Sequence, residues 1–422
     1  MQLHLACRHC DQLVYIASLQ KTQVAYCPNC RSKIALGKNN SEQKVVALSI
    51  CAIAMLLSSL FYPFISFSEQ GITQTITLLD AGKILFEFNS PLLGILIDIT
   101  IIFLPLTLLV FFILIHIGLL KILPRTYASK LLKMIFILIP WVMSEIFLIG
   151  ILISMIKIMS IADISFGLSF FSFSAFIFFY LMCLTHIDKN KLWQHIAMVD
   201  NRPLIGTPAR AIEHNYRACH NCQQLISSNI CDRCHSKTYS RYPFSIQKVM
   251  ALLLTSLILY IPANYYPIMH TWVLNQDEPS TILGGIVTLW QMGSYPIAII
   301  IFIASIIIPL AKIFVLTLLC YVVTYKNTLD YASQYQYTKM YQLTEFIGKW
   351  SMLDVFVVAV LVALVQLGAL MSITPGVGAI FFAAMVFTSM LAAHAFDSRL
   401  LWDSIDTTQA KSRFHNKNQE YK

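Results

Sequence analysis

Two four-cysteine sets, each directly ahead of a run of membrane-length apolar stretches, divide this chain into two like halves. The first set is Cys7, Cys10, Cys27 and Cys30; the second is Cys219, Cys222, Cys231 and Cys234. This order, met twice, leaves little choice of architecture. Each half must bury helices in hydrocarbon, where every backbone N–H and C=O has to be satisfied within the chain, and must carry a small cysteine-rich module outside it.

Composition fits that reading. Of the 422 residues 57% are hydrophobic and 12% charged, outside the range of soluble domains. Eight apolar spans are expected near residues 45–67, 92–120, 133–159, 165–187, 246–269, 294–324, 343–371 and 376–396. Several exceed the ~20 residues that cross a ~30 Å hydrocarbon core. The net charge of +9 invites a nucleic-acid reading, but the positions of the charges argue against it. With the N-terminus inside, all of the 30 Lys and Arg except Lys83, Lys157 and Lys312 fall in segments on the cytoplasmic side. That is the positive-inside asymmetry, and it places both termini in the cytoplasm.

Within the modules the spacings are CxxC–x16–CxxC and CxxC–x8–CxxC. A lone CxxC is a weak signal, equally suited to a redox pair. Two pairs per module, repeated in both halves, point to a closed tetrahedral metal site, and a reducing cytosol disfavours disulfides. Zinc is the expected metal, one ion per module, with iron in the same ligand set as the alternative. A closed site leaves no position for substrate, so the modules read as structural or docking elements. Cys51, Cys183 and Cys320 lie singly in spans and read as small apolar fillers.

The halves also match inside the spans. Phe61-Tyr62-Pro63-Phe64 corresponds to Tyr265-Tyr266-Pro267-Ile268, Pro105 to Pro309, and Phe166-Gly167 to Pro375-Gly376. Trp141 to Phe147 corresponds to Trp350 to Phe356, which aligns Glu145 with Asp354. His186-Ile187-Asp188 with Trp193 corresponds to His394-Ala395-Phe396-Asp397 with Trp402. Glu145 and Asp354 are expected near mid-span, and Lys312 at a depth that allows a pair with Asp354. A charge at the bilayer centre costs ~3 kcal/mol or more, so such residues face a partner or water. Two readings stay open: an ion pair stapling helices, or a charge switch. The outer loops, 68–91 and 270–293, are too apolar to be free and read as interfacial helices or a docking shelf.

Taken together these features resemble the paraquat-inducible protein A family of Gram-negative inner membranes. The resemblance rests on the duplicated modules and blocks, on Gly348-Lys349-Trp350-Ser351-Met352-Leu353-Asp354-Val355-Phe356 and on Ala395-Phe396-Asp397-Ser398-Arg399-Leu400-Leu401-Trp402-Asp403. It implies an inner-membrane partner of periplasmic MCE-domain proteins that carry phospholipid between the membranes. The first half departs from the pattern. It has Ile139-Pro140 before Trp141, and Leu108 at the third residue past Pro105, where the second half has Lys312 past Pro309. The second half is therefore the expected functional one.

The expected fold is an all-α polytopic membrane protein of two tandem four-helix repeats, each preceded by a zinc-ribbon-like module. The boundaries are 1–44 for the first module, 45–199 for the first block, 210–245 and 246–405 for their repeats, and 406–422 for a cytoplasmic tail. The expected function is non-enzymatic lipid transfer to or from an MCE tunnel, with no role for nucleic acid. No GxxxxGK[ST] loop occurs, so direct ATP use is not expected. The alternatives are a membrane redox protein with iron in its knuckles and a scaffold that moves no lipid.

Overall fold

A computed structural model describes residues 3–16, 23–37, 41–69, 72–87, 91–158, 163–196, 210–273, 276–291, 293–326, 329–364 and 371–403. The first module, or knuckle, pairs β1 (Leu3–Ala6) with β2 (Leu13–Ile16) and β3 (Val24–Tyr26) with β4 (Lys33–Leu36). The first block then runs α1 (Ser41–Phe61), β5 (Ile65–Glu69), β6 (Ile72–Ile76), α2 (Leu78–Glu87), α3 (Pro91–Ile97), α4 (Leu104–Ile117), α5 (Leu119–Ile122), α6 (Arg125–Leu138), α7 (Ser144–Ile158), β7 (Asp163–Phe166), α8 (Leu168–His186) and α9 (Lys189–Ile196). The second knuckle contains β8 (Arg217–Ala218) and β9 (Leu225–Ile226). The second block repeats the order: α10 (Ser245–Tyr265), β10 (Met269–Val273), β11 (Gln276–Ser280), α11 (Ile282–Gln291), α12 (Tyr295–Phe302), α13 (Ile308–Tyr325), α14 (Tyr331–Ile347), α15 (Leu353–Leu364), β12 (Met371–Pro375) and α16 (Val377–Ala395).

Seven helices among the described residues are long and apolar enough to cross a membrane, so the chain is a multi-pass membrane protein. Of the remaining expected span, the seventh at 343–371, the structure describes residues 343–364, while residues 365–370 lie outside the described residues.

Neither the third nor the seventh span is one continuous helix. A 3₁₀ turn, Ile139–Trp141, separates α6 from α7, and another, Gly348–Met352, separates α14 from α15. Pro140 accounts for the first break, since it has no N–H to give and its ring clashes with the preceding turn. Glu145 therefore sits in the first turn of α7 rather than deep inside an unbroken helix. Asp354 holds the matching place at the start of α15. A helix N-terminus carries partial positive charge, so a broken span offers a carboxylate a favourable position.

In both halves the second span contains a π-helical segment, Asp98–Phe103 or Ile303–Ile307, followed by Pro105 or Pro309 in the first turn of the next α-helix. The prolines thus stand just after a change of helical register rather than inside a simple kink. Ser144 donates to the Ile101 carbonyl at 3.4 Å, in the turn preceding Pro105.

Each block closes in the same way. α1 packs along α8, and α10 along α16. Ser169 of α8 donates to the Ser59 and Tyr62 carbonyls at 2.7 and 2.8 Å, and Ser256 of α10 meets Thr388 of α16 at 2.8 Å. The expected outer loops are hairpins followed by amphipathic helices rather than helices alone. Antiparallel three-stranded sheets form in the orders β6-β5-β7 and β11-β10-β12. Gly167 and Gly376 let the last helix begin against this corner, and Gly376 N–H donates to Ile268 O at 2.9 Å. A Cβ at either glycine would collide with the Pro63 or Pro267 carbonyl.

The halves meet where α7 crosses α15. Gly150 lies against Phe356, close enough that an added Cβ would come within 3.3 Å of the Phe356 Cβ. Ser154 donates to Gly150 O at 2.8 Å and approaches Val357 O at 3.4 Å. Small residues at a crossing let membrane helices approach closely, the source of their packing energy in lipid. Gly376→Ala is expected to cost about 1–3 kcal/mol by overpacking, and Gly150→Leu to weaken the crossing by a similar amount. A lowered thermal unfolding midpoint in detergent checks both.

Candidate metal centres

Each cysteine pair sits on a tight turn of one design. Cys7 N–H donates to Gln12 O at 2.9 Å and Asp11 N–H to Cys7 O at 3.0 Å. The same two bonds recur at Cys27 with Ser32 and Arg31, at Cys219 with Gln224 and Gln223, and at Cys231 with Ser236 and His235. The residue after each second cysteine is left-handed, with φ of 61° at Asp11, 54° at Arg31, 60° at Gln223 and 51° at His235. None is glycine, so all four positions accept a conformation L-residues rarely adopt in order to aim two sulfurs at one point.

The turns converge in pairs. Cys7 Sγ and Cys30 Sγ are 3.4 Å apart, and Cys10 and Cys27 3.5 Å. In the second knuckle Cys219–Cys234 and Cys222–Cys231 are both 3.4 Å apart. All four sulfurs of each set lie within 4.8 Å of one another, and all eight are buried free thiols. Tetrahedral bonds of ~2.3 Å imply sulfur separations near ~3.8 Å, so both sets fit a metal ion. Hydrogen bonding among neighbouring thiols holds Cys7 far below the ordinary thiol range, Cys10 contributing most. Cys219 does most to lower Cys234 likewise, and to lower Cys231 to about 7. Two thiols of each set are lowered, Cys7 and Cys30 or Cys231 and Cys234, while Cys10, Cys27, Cys219 and Cys222 are raised, so a bound cation would displace the protons of the second pair.

The intramembrane charges are less fully assembled. Lys312 is 3% exposed and donates to Ser389 Oγ of α16 at 3.1 Å. Gly348 lies beside it, an added Cβ coming 3.3 Å from Lys312 Nζ. The Asp354 side chain lies outside the described residues, so the expected Lys312–Asp354 pair is not among the contacts the structure describes. Glu145 is half-buried in the first block, far from Lys312 in sequence. Asp98 lies under Gly82 of α2, and an added Cβ there would collide with its carboxylate. His116 bonds the Phe112 carbonyl at 2.7 Å through Nδ1.

Sequence reasoning missed a charged clasp beside the first knuckle. Arg399 binds Asp397 through two bonds of 2.8 and 2.7 Å, with side chains 5% and 2% exposed. Tyr242 N–H adds a third bond to Asp397 at 3.0 Å. Arg241 spans Asp403 at 2.6 Å and Asp11, next to Cys10, at 3.0 Å. Burial alone would raise the Asp397 carboxyl, but Arg399 and the backbone donors outweigh it and hold the group below its ordinary range. The repeated Asp-x4-Trp spacing behind a histidine, Asp188 to Trp193 and Asp397 to Trp402, was the available signal. The two ends diverge at the third residue. Asn190 of the first half bonds Asp188 through its backbone at 3.0 Å, where Arg399 of the second makes a side-chain pair.

A duplicated membrane bundle with one four-thiol knuckle ahead of each block defines a class of polytopic membrane protein. The paraquat-inducible protein A family model matches residues 43–197 and 246–406, and the chain belongs to that family. It is 38% identical to the intermembrane transport protein PqiA of Escherichia coli K12 across 95% of each chain. It is 28% identical to the lipophilic envelope-spanning tunnel protein A of the same strain, across 96% of this chain and 92% of that one. A probable intermembrane transport protein of Haemophilus influenzae is 27% identical across 95% and 96%. No solved structure matches.

Metal analysis of the purified protein should give about two ions per chain, and Cys27→Ser or Cys231→Ser should each remove about one, because a closed four-ligand site loses its geometry with any ligand. Arg399→Gln leaves Asp397 buried without its partner and should cost about 3–5 kcal/mol at neutral pH. In the parent the lowered Asp397 stabilises the fold above an unfolded pKa near ~3.9 and stops doing so as pH falls through the folded value. In the variant the carboxyl is raised instead, so the deficit should shrink as pH falls toward ~4. Unfolding measured against pH checks the sign.

Proposed function

We propose that this chain is the inner-membrane component of an MCE-type intermembrane lipid transport system, passing phospholipid between the inner membrane and a periplasmic MCE-domain tunnel. The observation that carries the reading is a lysine, Lys312, kept buried among membrane-spanning helices of the second half. Lys312 costs several kcal/mol in hydrocarbon, a cost that packing alone gives no reason to bear. It lies where α13, α16 and the break between α14 and α15 meet, in a chain whose relatives bear intermembrane-transport names.

The knuckles face the cytoplasm in this reading, since a reducing compartment keeps their thiols free, and each holds one zinc. The sheets β6-β5-β7 and β11-β10-β12 then face the periplasm with the amphipathic helices α2 and α11. Phe86, Trp290 and Tyr295 are exposed there, and Trp290 packs edge-on against Tyr295 at 4.9 Å. This shelf is where an MCE-domain protein docks. Lys312 and Asp354 form the charge switch, and its protonation state is coupled to movement of the broken seventh span against α13 and α16.

Asp354→Asn should impair growth that depends on lipid transport, because it leaves Lys312 uncompensated at a cost of about 3–5 kcal/mol. A double variant, Lys312→Met with Asp354→Leu, should fold but stay inactive. If the double variant grows like wild type, the pair only staples helices; if Asp354→Ala alone is fully active, the assignment is wrong. A cysteine at Gln276 should react with an impermeant thiol reagent in intact spheroplasts, and labelling only after lysis would reverse the topology. Iron in place of zinc would favour an electron-carrying reading.

A further inference from the structure

Among the described residues the first knuckle does not sit on the block that follows it in the chain. Its contacts lead to the second. The buried thiols Cys7, Cys10, Cys27 and Cys30 share one apolar cluster with Val249 of α10, Leu316 and Cys320 of α13, Tyr341 of α14 and Trp402. The polar contacts come from the ligand turns themselves. His9, between Cys7 and Cys10, meets the Tyr341 ring edge-on at 6.3 Å and Ser398 at 3.4 Å. Asp11, directly after Cys10, holds Arg241 at 3.0 Å. Asn29, between Cys27 and Cys30, accepts through its carbonyl from the Tyr331 hydroxyl at 2.5 Å.

What these residues grip is the knuckle end of the second block. Tyr341 is buried and donates to the Ala393 carbonyl of α16 at 3.0 Å. One turn along α16 from Ala393 is Ser389, the acceptor for Lys312. Arg241 carries the contact to Asp403 beyond α16, beside the buried Asp397–Arg399 pair. Between the knuckles, Gln12 pairs with Arg210 in a β-bridge, and Ala211 N–H donates to Asp11 O at 2.9 Å.

We infer that the first metal site acts across the molecule: by fixing its two ligand turns it locks the knuckle end of the second membrane block, and leaves the first block, which follows it in sequence, unlocked. The chemistry is local. The ligand turns present His9, Asp11 and Asn29, and each turn needs a left-handed residue, Asp11 or Arg31, to keep its shape. Metal–thiolate bonds hold that shape at the moment of contact. Without them the turns relax, and Tyr341, Arg241 and Tyr331 lose their partners together. In the transport reading above, on which only this consequence rests, the first site becomes a metal-dependent regulator of movement around Lys312.

Two native thiols serve as reporters. Cys320 lies in the second block within the shared cluster, and Cys183 in the first, bonded to Ser49 at 3.3 Å; both are buried. In full-length protein carrying Cys51→Ala, which removes the exposed thiol of α1, alkylation by a membrane-permeant maleimide is followed peptide by peptide. Cys27→Ser should speed Cys320 modification about tenfold and leave Cys183 within about twofold, as local opening of one unit requires. Arg241→Gln combined with Tyr331→Phe removes the second-block side of two of these contacts and keeps all eight thiols and both ligand turns. It should retain two metal ions and still speed Cys320, which separates loss of grip from unfolding of the knuckle. The inference is overturned if Cys183 responds to Cys27→Ser as strongly as Cys320, or if Cys320 is unchanged in the metal-loaded double variant. Neither readout depends on lipid movement, so an inactive or wrongly assigned Lys312 would leave it intact.

Discussion

Backbone amides surrounded by hydrocarbon have no water to bond, and this chain is organised around that constraint. Wherever a span departs from α-helical bonding, another group takes up the difference. Ser144 reaches the Ile101 carbonyl ahead of Pro105. Thr100 and Ser305, both inside π-helical segments, donate back to Leu96 O and Ile301 O at 2.7 and 2.6 Å. Ser169 ties two carbonyls at the end of α1. The hairpins that follow α1 and α10 pair their strands and take a third strand from the stretch before the last helix. At these corners Gly167 and Gly376 give their N–H to Phe64 O and Ile268 O, with the Pro63 and Pro267 carbonyls packed where a side chain would stand.

The same constraint explains why the charges stand where they do. A carboxylate in a continuous helix at the bilayer centre has no donors left to accept from. The 3₁₀ turn in the third span creates a helix start at Glu145, whose dipole favours a carboxylate, and Asp354 holds the matching place at the start of α15. Lys312 has the opposite need and meets it with the Ser389 hydroxyl near the break at Gly348. Duplication supplied two broken spans; the second half has Lys312 beside its own, where the first half has Leu108 at the matching position.

Outside the apolar spans the arrangement is crossed. The first knuckle is held by the second block through the residues that shape its ligand turns, and by a partly buried set of charges, Asp11, Arg241 and Asp403 beside the buried Asp397–Arg399 pair. Such a network is worth little as net stability, because desolvation offsets most of the attraction, yet breaking it is costly. It therefore specifies one docking arrangement more than it strengthens the fold.

Much of this was legible in the residues. Pattern and length placed the spans, because a run of apolar side chains has one way to satisfy its backbone in lipid. Spacing assigned the eight cysteines to two sets, because a CxxC turn can aim both sulfurs at one point. Repetition aligned Glu145 with Asp354 and the two Trp-ending motifs. The break at Gly348, where no proline announces it, was not legible, and neither was the change to π-helical register ahead of Pro105 and Pro309. Those depend on which carbonyls neighbouring helices can reach. The crossing of Gly150 with Phe356, the Ser389 partner of Lys312, and the seat of the first knuckle on the second block were decided by tertiary structure alone. Each joins residues more than 70 positions apart, and no local pattern records which of several equally apolar or equally charged surfaces will meet once the helices have closed.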